Sequence, residues 1–342
     1  MDKARLDWPN LDFGYRQTDF NIRYTWKDGR WDEGILTPDE TIPLHIAATC
    51  LHYGQECFEG LKAFETKSGD VVIFRVEENA RRMIRSCERV HMASMPEDKF
   101  IDAVFRVINA NRRFVPPYGT GASLYVRPLV IGTGPQIGVK PAREYMFLIL
   151  VTPVGPYFKT GFKPVALMIE DEYDRAAPCG VGHVKVGGNY AAGLHPSLLA
   201  RRQGYADALF LDAQEKKYID ECAPANFYGI TKDDQYVTPD SHSILPSITN
   251  MSLIRLAEEM GLRPQRRPIP VEEIFELTEA GCCGTAAVIT PVGSITYHER
   301  KAVYSKDGKA GKWTTELYEK LTAIQVGDAA DKYEWVRSVP EP

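Results

Sequence analysis

The stretch PVGPYFKTGFKP, residues 153–164, places three prolines and two glycines between two segments rich in β-branched and aliphatic residues. Proline and glycine interrupt strands and helices, so this composition is typical of a linker between domains. A chain of 342 residues also exceeds the roughly 250–300 residues at which a single hydrophobic core stops growing. We therefore predict a small N-terminal α/β domain at residues 1–152, a linker at 153–164 and a larger C-terminal domain at 165–342.

Strand and helix patterns occur on both sides of this linker. SLYVRPLVIG and EYMFLILVTPVG are β-rich, and the second is apolar enough for a central strand. EENARRMIRSCERVHM, from Glu77, repeats apolar residues at helical spacing. In the second half we predict a hairpin that turns at residues 214–216 and a helix that begins near residues 247–250, where a Ser/Thr cluster precedes a periodic apolar run. The predicted fold class is α/β, of the α+β type.

Composition argues against several classes of partner. The formal net charge of −5 and the pI near 5.9 lack the positive footprint that nucleic acid or an anionic membrane requires. No apolar run reaches the about 20 residues of a membrane span, and the first residues lack the apolar centre of a signal peptide, so we expect a cytoplasmic protein. The cysteines show no CxxC spacing and the histidines no HxxxH spacing, so we expect neither a disulfide framework nor a metal site. Small-molecule substrates are the default.

One lysine has an unusual setting. VGHVKVGGNY, residues 181–190, places Lys185 between two valines, and Gly187 and Gly188 follow. In a buried or electropositive site the ammonium form is disfavoured, the pKa falls, and the neutral amine can attack a carbonyl carbon. The two glycines would let a flat ligand lie close to the backbone. A lysine of this kind usually points to pyridoxal phosphate, a cofactor that also needs an acid opposite its ring nitrogen and a site for its phosphate.

The sequence offers candidates for both further needs. Glu221, in YIDECAPANF, follows a predicted strand and could pair with a protonated ring nitrogen. The helix start at residues 247–249 offers backbone N–H groups and a positive dipole end to a phosphate, and Arg82 could add a charged fork. Taken singly, each has an ordinary alternative: Lys185 is a surface lysine, Glu221 a hairpin-end carboxylate, and Arg82 one arginine of a solvated helix face.

Six motifs occur in one order along the chain: LHYGQECFEGLKAF, SLYVRPLVIG, DRAAP, KVGGNY, LPSIT and GTAAVITPV. In these motifs the chain resembles the branched-chain-amino-acid aminotransferases, class IV enzymes of fold type IV, from about Trp26 to the C-terminal YEWVRSV. The resemblance implies two α/β domains with pyridoxal 5′-phosphate at their interface, and a larger C-terminal domain that binds this cofactor. It also implies a homodimer in which a loop of one subunit closes the pocket of the other.

Position by position, the resemblance implies roles for particular residues. Lys185 is the catalytic residue, which holds the cofactor and later moves the substrate's proton. The other implied cofactor-binding residues are Arg82, Tyr190, Glu221, Ile248, Thr249 and Thr285. The implied substrate-binding residues are Tyr53, Phe58, Tyr125, Arg127, Thr285 and Ala286. Arg175 of DRAAP occupies a position close to the cofactor without an assigned role.

The activity implied by the resemblance is transamination of L-leucine, L-isoleucine and L-valine with 2-oxoglutarate, which gives branched-chain 2-oxo acids and L-glutamate by a ping-pong mechanism. Two alternatives share the fold: a D-amino-acid aminotransferase and an aminodeoxychorismate lyase. A cofactorless Schiff-base lyase or an inactive binding protein is less favoured, because the implied cofactor residues are all present. The chain departs from the family pattern at Ser247, where many members have glycine, and at Lys62, where some have arginine.

Overall fold

The structure is a computed structural model that describes residues 2–155 and 162–341. The chain forms two compact units. The first unit comprises Met1–Tyr157, Val184–Gly187 and Ala323–Pro342, and the second comprises Phe158–His183 and Gly188–Thr322. Residues 156–161, half of the predicted linker, lie outside the described residues, so the linker at 153–164 stays a prediction.

The secondary structure alternates strands and helices in both units. In the described residues the strands are β1 Asn21–Lys27, β2 Arg30–Trp31, β3 Ile35–Thr37, β4 Glu56–Phe58, β5 Leu61–Glu65, β6 Val71–Phe74, β7 Ser123–Gly132, β8 Tyr145–Val154, β9 Val165–Glu170, β10 Asp207–Leu211, β11 Ile219–Cys222, β12 Asn226–Ile230, β13 Gln235–Pro239, β14 Arg263–Arg267, β15 Glu279–Gly284, β16 Val288–Tyr297, β17 Arg300–Val303 and β18 Val336–Ser338. The α-helices are α1 Thr49–Tyr53, α2 Val76–Arg89, α3 Glu97–Ala110, α4 Gly187–Arg202, α5 Ile248–Glu259 and α6 Lys312–Gln325, and 3-10 turns occupy Trp8–Asn10, Arg112–Phe114 and Val271–Phe275.

The first unit contains an antiparallel sheet with the strand order β18-β6-β5-β7-β8-β1-β2, with β3 paired to β1 and β4 paired to β7. Strand β8 lies between β7 and β1, which confirms the central strand predicted for EYMFLILVTPVG. Helices α2 and α3 bury one stripe each, including Met83 and Phe100, because their apolar residues recur at helical spacing. Helix α3 packs on β8 and β1, and α2 packs on β4.

The register of the first sheet places several predicted site residues on one face. Side chains alternate along a strand, so Tyr125 and Arg127 of β7 point the same way. On the neighbouring strands, Lys62 of β5 pairs with Tyr125, and Phe58 of β4 pairs with Leu129, two residues beyond Arg127. These side chains therefore share the face opposite to that of Leu124 and Val126, which are fully buried.

The C-terminal strand differs from the predicted division of the chain. β18 pairs antiparallel with β6, with Val336 opposite Phe74 and Ser338 opposite Val72. The guanidinium of Arg75 lies 5.2 Å from the centre of the Trp335 ring, and the backbone N–H of Arg75 donates to the Trp335 carbonyl. Residues that the sequence analysis placed in the domain at 165–342 thus complete the sheet of the first unit.

The second unit contains a mixed sheet with the strand order β11-β10-β9-β16-β15-β12-β13-β14, with β17 paired to β16. Strand β9 runs parallel to both β10 and β16. Residues of β10 are buried throughout, as expected for a strand flanked on both edges. The core of this unit includes Leu209, Phe227 and Ile295, each fully buried.

Local predictions for the second unit agree with the structure. β10 and β11 form an antiparallel pair, with Leu211 opposite Ile219, which confirms the predicted hairpin. Helix α5 begins at Ile248 with Ser247 as its N-cap, which confirms the helix start predicted near residues 247–250. Helix α4 begins at Gly187, earlier than the sequence pattern indicated. Over residues 2–155 and 162–341, no helix has the length and apolar character needed to cross a membrane.

Candidate active site

Lys185 belongs to the first unit, where its backbone is fixed from two sides. The N–H of Phe58 donates to the carbonyl of Lys185 at 3.1 Å, and the N–H of Lys185 donates to the hydroxyl of Ser86 at 3.0 Å. The ammonium nitrogen lies 4.7 Å from the centre of the Phe58 ring. Strand β4 and helix α2 therefore hold the lysine, and its amine lies against an aromatic ring.

The environment of Lys185 favours the neutral amine. Burial is the main cause that lowers the pKa of Lys185 to about 8. The guanidinium groups of Arg82 and Arg127 also lower this pKa, whereas Glu59 and Tyr125 act in the opposite direction. A free lysine titrates near 10.4, so a far larger fraction of Lys185 carries the lone pair that attack on an aldehyde requires.

Arg82 lies on the buried side of α2 and forms a two-pronged ion pair with Glu59. Its Nε donates to Oε1 at 2.7 Å and its Nη2 donates to Oε2 at 2.8 Å. Glu59 is fully buried and also accepts from Asn79 Nδ2 at 2.7 Å. Burial raises the pKa of Glu59, but Arg82, Lys185 and Asn79 outweigh this effect and hold the pKa below its usual value. A phosphate bound by Arg82 would share the guanidinium with this carboxylate.

The sequence analysis did not identify Glu59 as a site residue. Its signal was an acid inside the apolar run CFEGLKAF, since an acid buried in such a run must have a cationic partner. The partner itself, Arg82, lies 23 residues further along and was one of several arginines on the same helix. Charge pattern alone therefore indicated a pair but not which arginine completes it.

Phe58, Tyr125 and Arg127 form a surface that is both apolar and cationic. The guanidinium carbon of Arg127 lies 4.9 Å from the centre of the Phe58 ring and 5.2 Å from that of Tyr125. Arg127 Nη2 donates to the Tyr125 hydroxyl at 3.1 Å, while its buried Nε has no hydrogen-bond partner among the described residues. Gly60 makes room for this arrangement, because a Cβ there would lie 2.1 Å from the Tyr125 hydroxyl oxygen.

Tyr53 has a different position in the first unit. Its ring is 42% exposed at the end of α1, and its hydroxyl donates to the carbonyl of Ile137. Ile137 and the nearby Val139 are strongly exposed as well. The structure thus brings Lys185 and the Phe58 ring together but leaves Tyr53 on an apolar surface.

Glu221 lies at the end of β11 in the second unit and is almost fully buried. Its Oε1 lies 3.0 Å from Arg175 Nη2 and accepts from the N–H of Leu245 at 3.2 Å, and its Oε2 accepts from Asn226 Nδ2. Burial raises the pKa of Glu221 to about 7, against the opposing effects of Arg175, the Leu245 N–H and Asn226. This carboxylate is thus held where it can meet a protonated ring nitrogen.

The N-terminus of α5 is the candidate phosphate site of the second unit. The Ser247 hydroxyl accepts from the N–H of Asn250 at 3.2 Å and caps the helix. Ile248 and Thr249 are the first two helical residues, whose N–H groups have no intrahelical acceptor in any α-helix. Both residues are buried, so the dipole end of α5 acts on an anion with little screening by water.

The remaining predicted residues lie in turns or at helix ends of the second unit. Thr285 and Ala286 form the turn between β15 and β16 and are half-buried. Val288, which follows this turn, has a φ of +60°, a left-handed conformation that costs a β-branched residue about 1–3 kcal/mol. Tyr190 lies in the first turn of α4 and is half-buried. Strain beside Thr285 suits a turn shaped for a ligand.

The two donor sets fit pyridoxal phosphate. The first unit offers a lysine amine of lowered pKa and a buried arginine, and the second offers a buried carboxylate and a capped helix start. Of the two predicted glycines, Gly188 has open space where a Cβ would lie, whereas a Cβ at Gly187 would meet the carboxylate of Glu56. Room for a flat ligand therefore comes from Gly188, while Gly187 is needed for packing.

Comparison with known proteins gives one family. Residues 56–295 match the family model described as amino-transferase class IV. The chain is 47% identical over 340 residues to the branched-chain-amino-acid aminotransferase of Haemophilus influenzae, covering 98% of this chain and 99% of that protein. The crystal structure of the Escherichia coli branched-chain amino acid aminotransferase is similar with a TM-score of 0.81 at 27% identity, covering 94% of this chain and 100% of that one. A further branched-chain amino acid aminotransferase, from the source abbreviated T.th. and solved with pyridoxamine 5′-phosphate, gives a TM-score of 0.77 at 25% identity over 93% of this chain and 98% of that one.

Proposed function

Since this chain belongs to the branched-chain-amino-acid aminotransferases of the class IV amino-transferase family, we propose that it transfers the amino group of L-leucine, L-isoleucine or L-valine to 2-oxoglutarate. The products are the branched-chain 2-oxo acid and L-glutamate, formed in two half-reactions of a ping-pong mechanism. The observation that carries the proposal is Lys185, whose buried amine has a pKa of about 8 and lies against Phe58.

Pyridoxal 5′-phosphate is the cofactor of this family and fold type. When bound, it supplies an electron-withdrawing ring that delocalises the charge left when the substrate loses its Cα proton. Lys185 would hold its aldehyde, Glu221 its ring nitrogen and Tyr190 its ring oxygen. The phosphate would be held by backbone and side-chain donors of Arg82, Ile248, Thr249 and Thr285.

Lys185 moves the proton in both half-reactions. Its Nζ accepts the Cα proton of the amino acid as a neutral amine and returns a proton from the ammonium form, so it must exchange protons readily near neutral pH. General acid–base catalysis is most efficient when the pKa of the catalytic group lies near the operating pH, and the pKa of about 8 meets this condition. Arg82 and Arg127 assist by disfavouring the ammonium form.

Phe58, Tyr125 and Arg127 would bind both classes of substrate, with Thr285 and Ala286 receiving the α-carboxylate. Branched aliphatic side chains need an apolar wall, which the rings of Phe58 and Tyr125 provide. The γ-carboxylate of 2-oxoglutarate needs a charged donor, and the buried Nε of Arg127 has no acceptor among the described residues. A single surface with both properties explains how one pocket can accept leucine and glutamate in turn.

We also propose a homodimer. The first unit exposes large apolar side chains that a monomer would leave in water, and these are Ile46, Leu51, Tyr53, Ile137 and Val139. Tyr53 and Ile137 are joined by a hydrogen bond, so part of this surface is ordered without a partner. A second copy of the chain that covers this surface would bring Tyr53 toward a substrate pocket, which its position in one subunit does not explain. The cytoplasmic location stays a prediction from the sequence.

The test is a difference spectrum of the holoenzyme. Addition of L-leucine should bleach the visible absorbance of bound pyridoxal phosphate, and subsequent 2-oxoglutarate should restore it. D-Leucine serves as the matched control and should leave the band unchanged. A band that responds to D-leucine alone would favour a D-amino-acid aminotransferase, and failure to bind pyridoxal phosphate at all would refute the proposal.

A further inference from the structure

Arg175 is a buried arginine whose guanidinium lies between a carboxylate and two backbone carbonyls. Its Nη2 lies 3.0 Å from Glu221 Oε1, donates to the carbonyl of Gly182 at 3.3 Å and donates to the carbonyl of Ser243. The side chains of Arg175 and Glu221 are only 4% and 5% exposed. A charge pair so removed from water is strong only when further hydrogen bonds fix its geometry, and the two carbonyls do this.

The segment 241–245, between β13 and α5, connects Arg175 to the surroundings of Glu221. Ser243 offers its carbonyl to Arg175, and Leu245 offers its N–H to Glu221 and its carbonyl to Asn226. A Cβ at Gly182 would lie 2.1 Å from the Ser243 carbonyl oxygen, so glycine lets this segment approach closely. The same segment leads into the N-terminus of α5. Its position therefore fixes Glu221 relative to the candidate phosphate site.

Asp220 holds this segment from the other side of β11. It is 2% exposed, and its Oδ2 accepts from the Ser243 hydroxyl at 2.6 Å. Its Oδ1 is buried without a hydrogen-bond partner among the described residues. Two adjacent carboxylates, Asp220 and Glu221, are thus buried with Arg175 as the guanidinium that acts on both.

We propose that Arg175 is a positioning residue that keeps Glu221 ionised and oriented for the ring nitrogen of the cofactor, and that Asp220 holds Arg175 in place through Ser243. This inference rests on the proposed function, since it concerns the same site. One guanidinium between two buried carboxylates leaves a net negative charge, which a protonated ring nitrogen would neutralise. The arrangement therefore selects a cofactor that is cationic at this atom.

The charged and titratable groups that face Glu221 are few. Arg175 lowers the pKa of Glu221 and Asp220 raises it. Cys222 on the same strand and Cys283 on β15 also face it. A hydrogen bond with Cys282 and burial raise the pKa of Cys222, and burial raises the pKa of Cys283, so both thiols stay neutral. Arg175 and Asp220 thus act on Glu221 with opposite signs, which gives the proposal a two-sided test.

The experiment measures the affinity of the full-length apoprotein for pyridoxal phosphate by fluorescence, from about pH 5 to about pH 9. A protonated Glu221 cannot pair with the ring nitrogen, so affinity should fall as the pH is lowered through the pKa of Glu221. In Arg175→Met the midpoint of this fall should move up by at least about one pH unit, which is about tenfold weaker binding at the wild-type midpoint. Arg175→Lys keeps the charge and should restore most of the shift.

Asp220→Asn supplies the opposite arm. Asparagine keeps an acceptor for the Ser243 hydroxyl but removes the negative charge, so the midpoint should move to lower pH. Arg255→Met, on the exposed face of α5, is the matched control and should leave the midpoint unchanged. A wild-type midpoint in Arg175→Met, or an upward shift in Asp220→Asn, would overturn the inference. If Arg175→Met does not fold, the direction of the Asp220→Asn shift decides alone, and absence of binding by the wild-type apoprotein would instead overturn the proposed function.

Discussion

Lys185 and Glu221 are both buried ionisable groups, but the charges around them act in different ways. At Lys185 burial lowers the pKa, and the neighbouring guanidiniums of Arg82 and Arg127 lower it further. At Glu221 burial raises the pKa, and Arg175 opposes that change. The first unit thus adds like charges to a buried cation, whereas the second unit compensates a buried anion.

The difference matches what each group has to do. A lysine that attacks an aldehyde and carries a proton must lose its charge easily, so neighbours that reinforce desolvation are useful. A carboxylate that pairs with a ring nitrogen must keep its charge although it is buried, so a compensating cation is useful. Opposite arrangements of the same residue type, arginine, therefore produce one reactive group and one stable ion.

The largest effect is expected when the reactive group is removed. Lys185→Ala deletes both the amine that holds the cofactor and the base for the Cα proton, so transamination of L-leucine should fall below detection. The steady-state rate of L-glutamate formation measures this, with Lys312→Ala on the exposed side of α6 as the control. Turnover near the wild-type rate in Lys185→Ala would mean that another group is the base.

The second largest effect is expected from neutralising the stable ion. Glu221→Gln keeps the size of the side chain and its bonds to Asn226 and the Leu245 N–H, but it removes the charge. We expect kcat for L-leucine to fall by about a hundredfold or more, because electrostatic stabilisation at a buried site is lost. Glu299→Gln, at an exposed turn of the same unit, should retain the wild-type kcat. Equal kcat in the two variants would remove the contrast between Lys185 and Glu221.

Local features of this contrast were predictable from the sequence, and long-range ones were not. The helix start at Ser247 and the hairpin before Glu221 were predicted because capping and turn chemistry act within a few residues. Pairing of Glu59 with Arg82 depends on which face of α2 meets β4, which sequence pattern leaves open. The roles of Lys185 and Glu221 came from family resemblance, since lysines and glutamates of the same local pattern are usually surface residues.

The C-terminal strand shows the same limit at the level of the fold. Val336–Ser338 pairs with β6, which lies near the other end of the chain, and no turn signal connects two strands so far apart. Register between distant strands depends on the whole sheet, because each strand must fit neighbours on both edges. The sequence therefore predicted the elements of each unit better than the order in which they assemble.

The ion pair beneath Lys185 should contribute mainly to stability. Glu59→Gln leaves the buried guanidinium of Arg82 without a counter-charge, so the free energy of unfolding should fall by about 3 kcal/mol. Urea denaturation of the apoprotein measures the loss. Glu97→Gln, which breaks an exposed pair with Arg81, is the control and should cost less than about 1 kcal/mol. A loss as small as the control's would show that Arg82 finds another partner.

The smallest effect tests whether neighbouring cations reinforce the burial of Lys185. Arg127→Met removes one of the two guanidiniums that lower the pKa of Lys185, and Arg127 is the weaker of the two. Below its pKa the lysine is an ammonium group that cannot attack an aldehyde, so the rate of pyridoxal phosphate capture by the apoprotein should rise with pH through about 8. In Arg127→Met this rise should move to higher pH by a fraction of a unit, because the lost cation had disfavoured protonation. Arg81→Met, on the exposed side of α2, should not move it, and an unchanged profile in Arg127→Met would mean that this guanidinium plays no part in tuning the lysine.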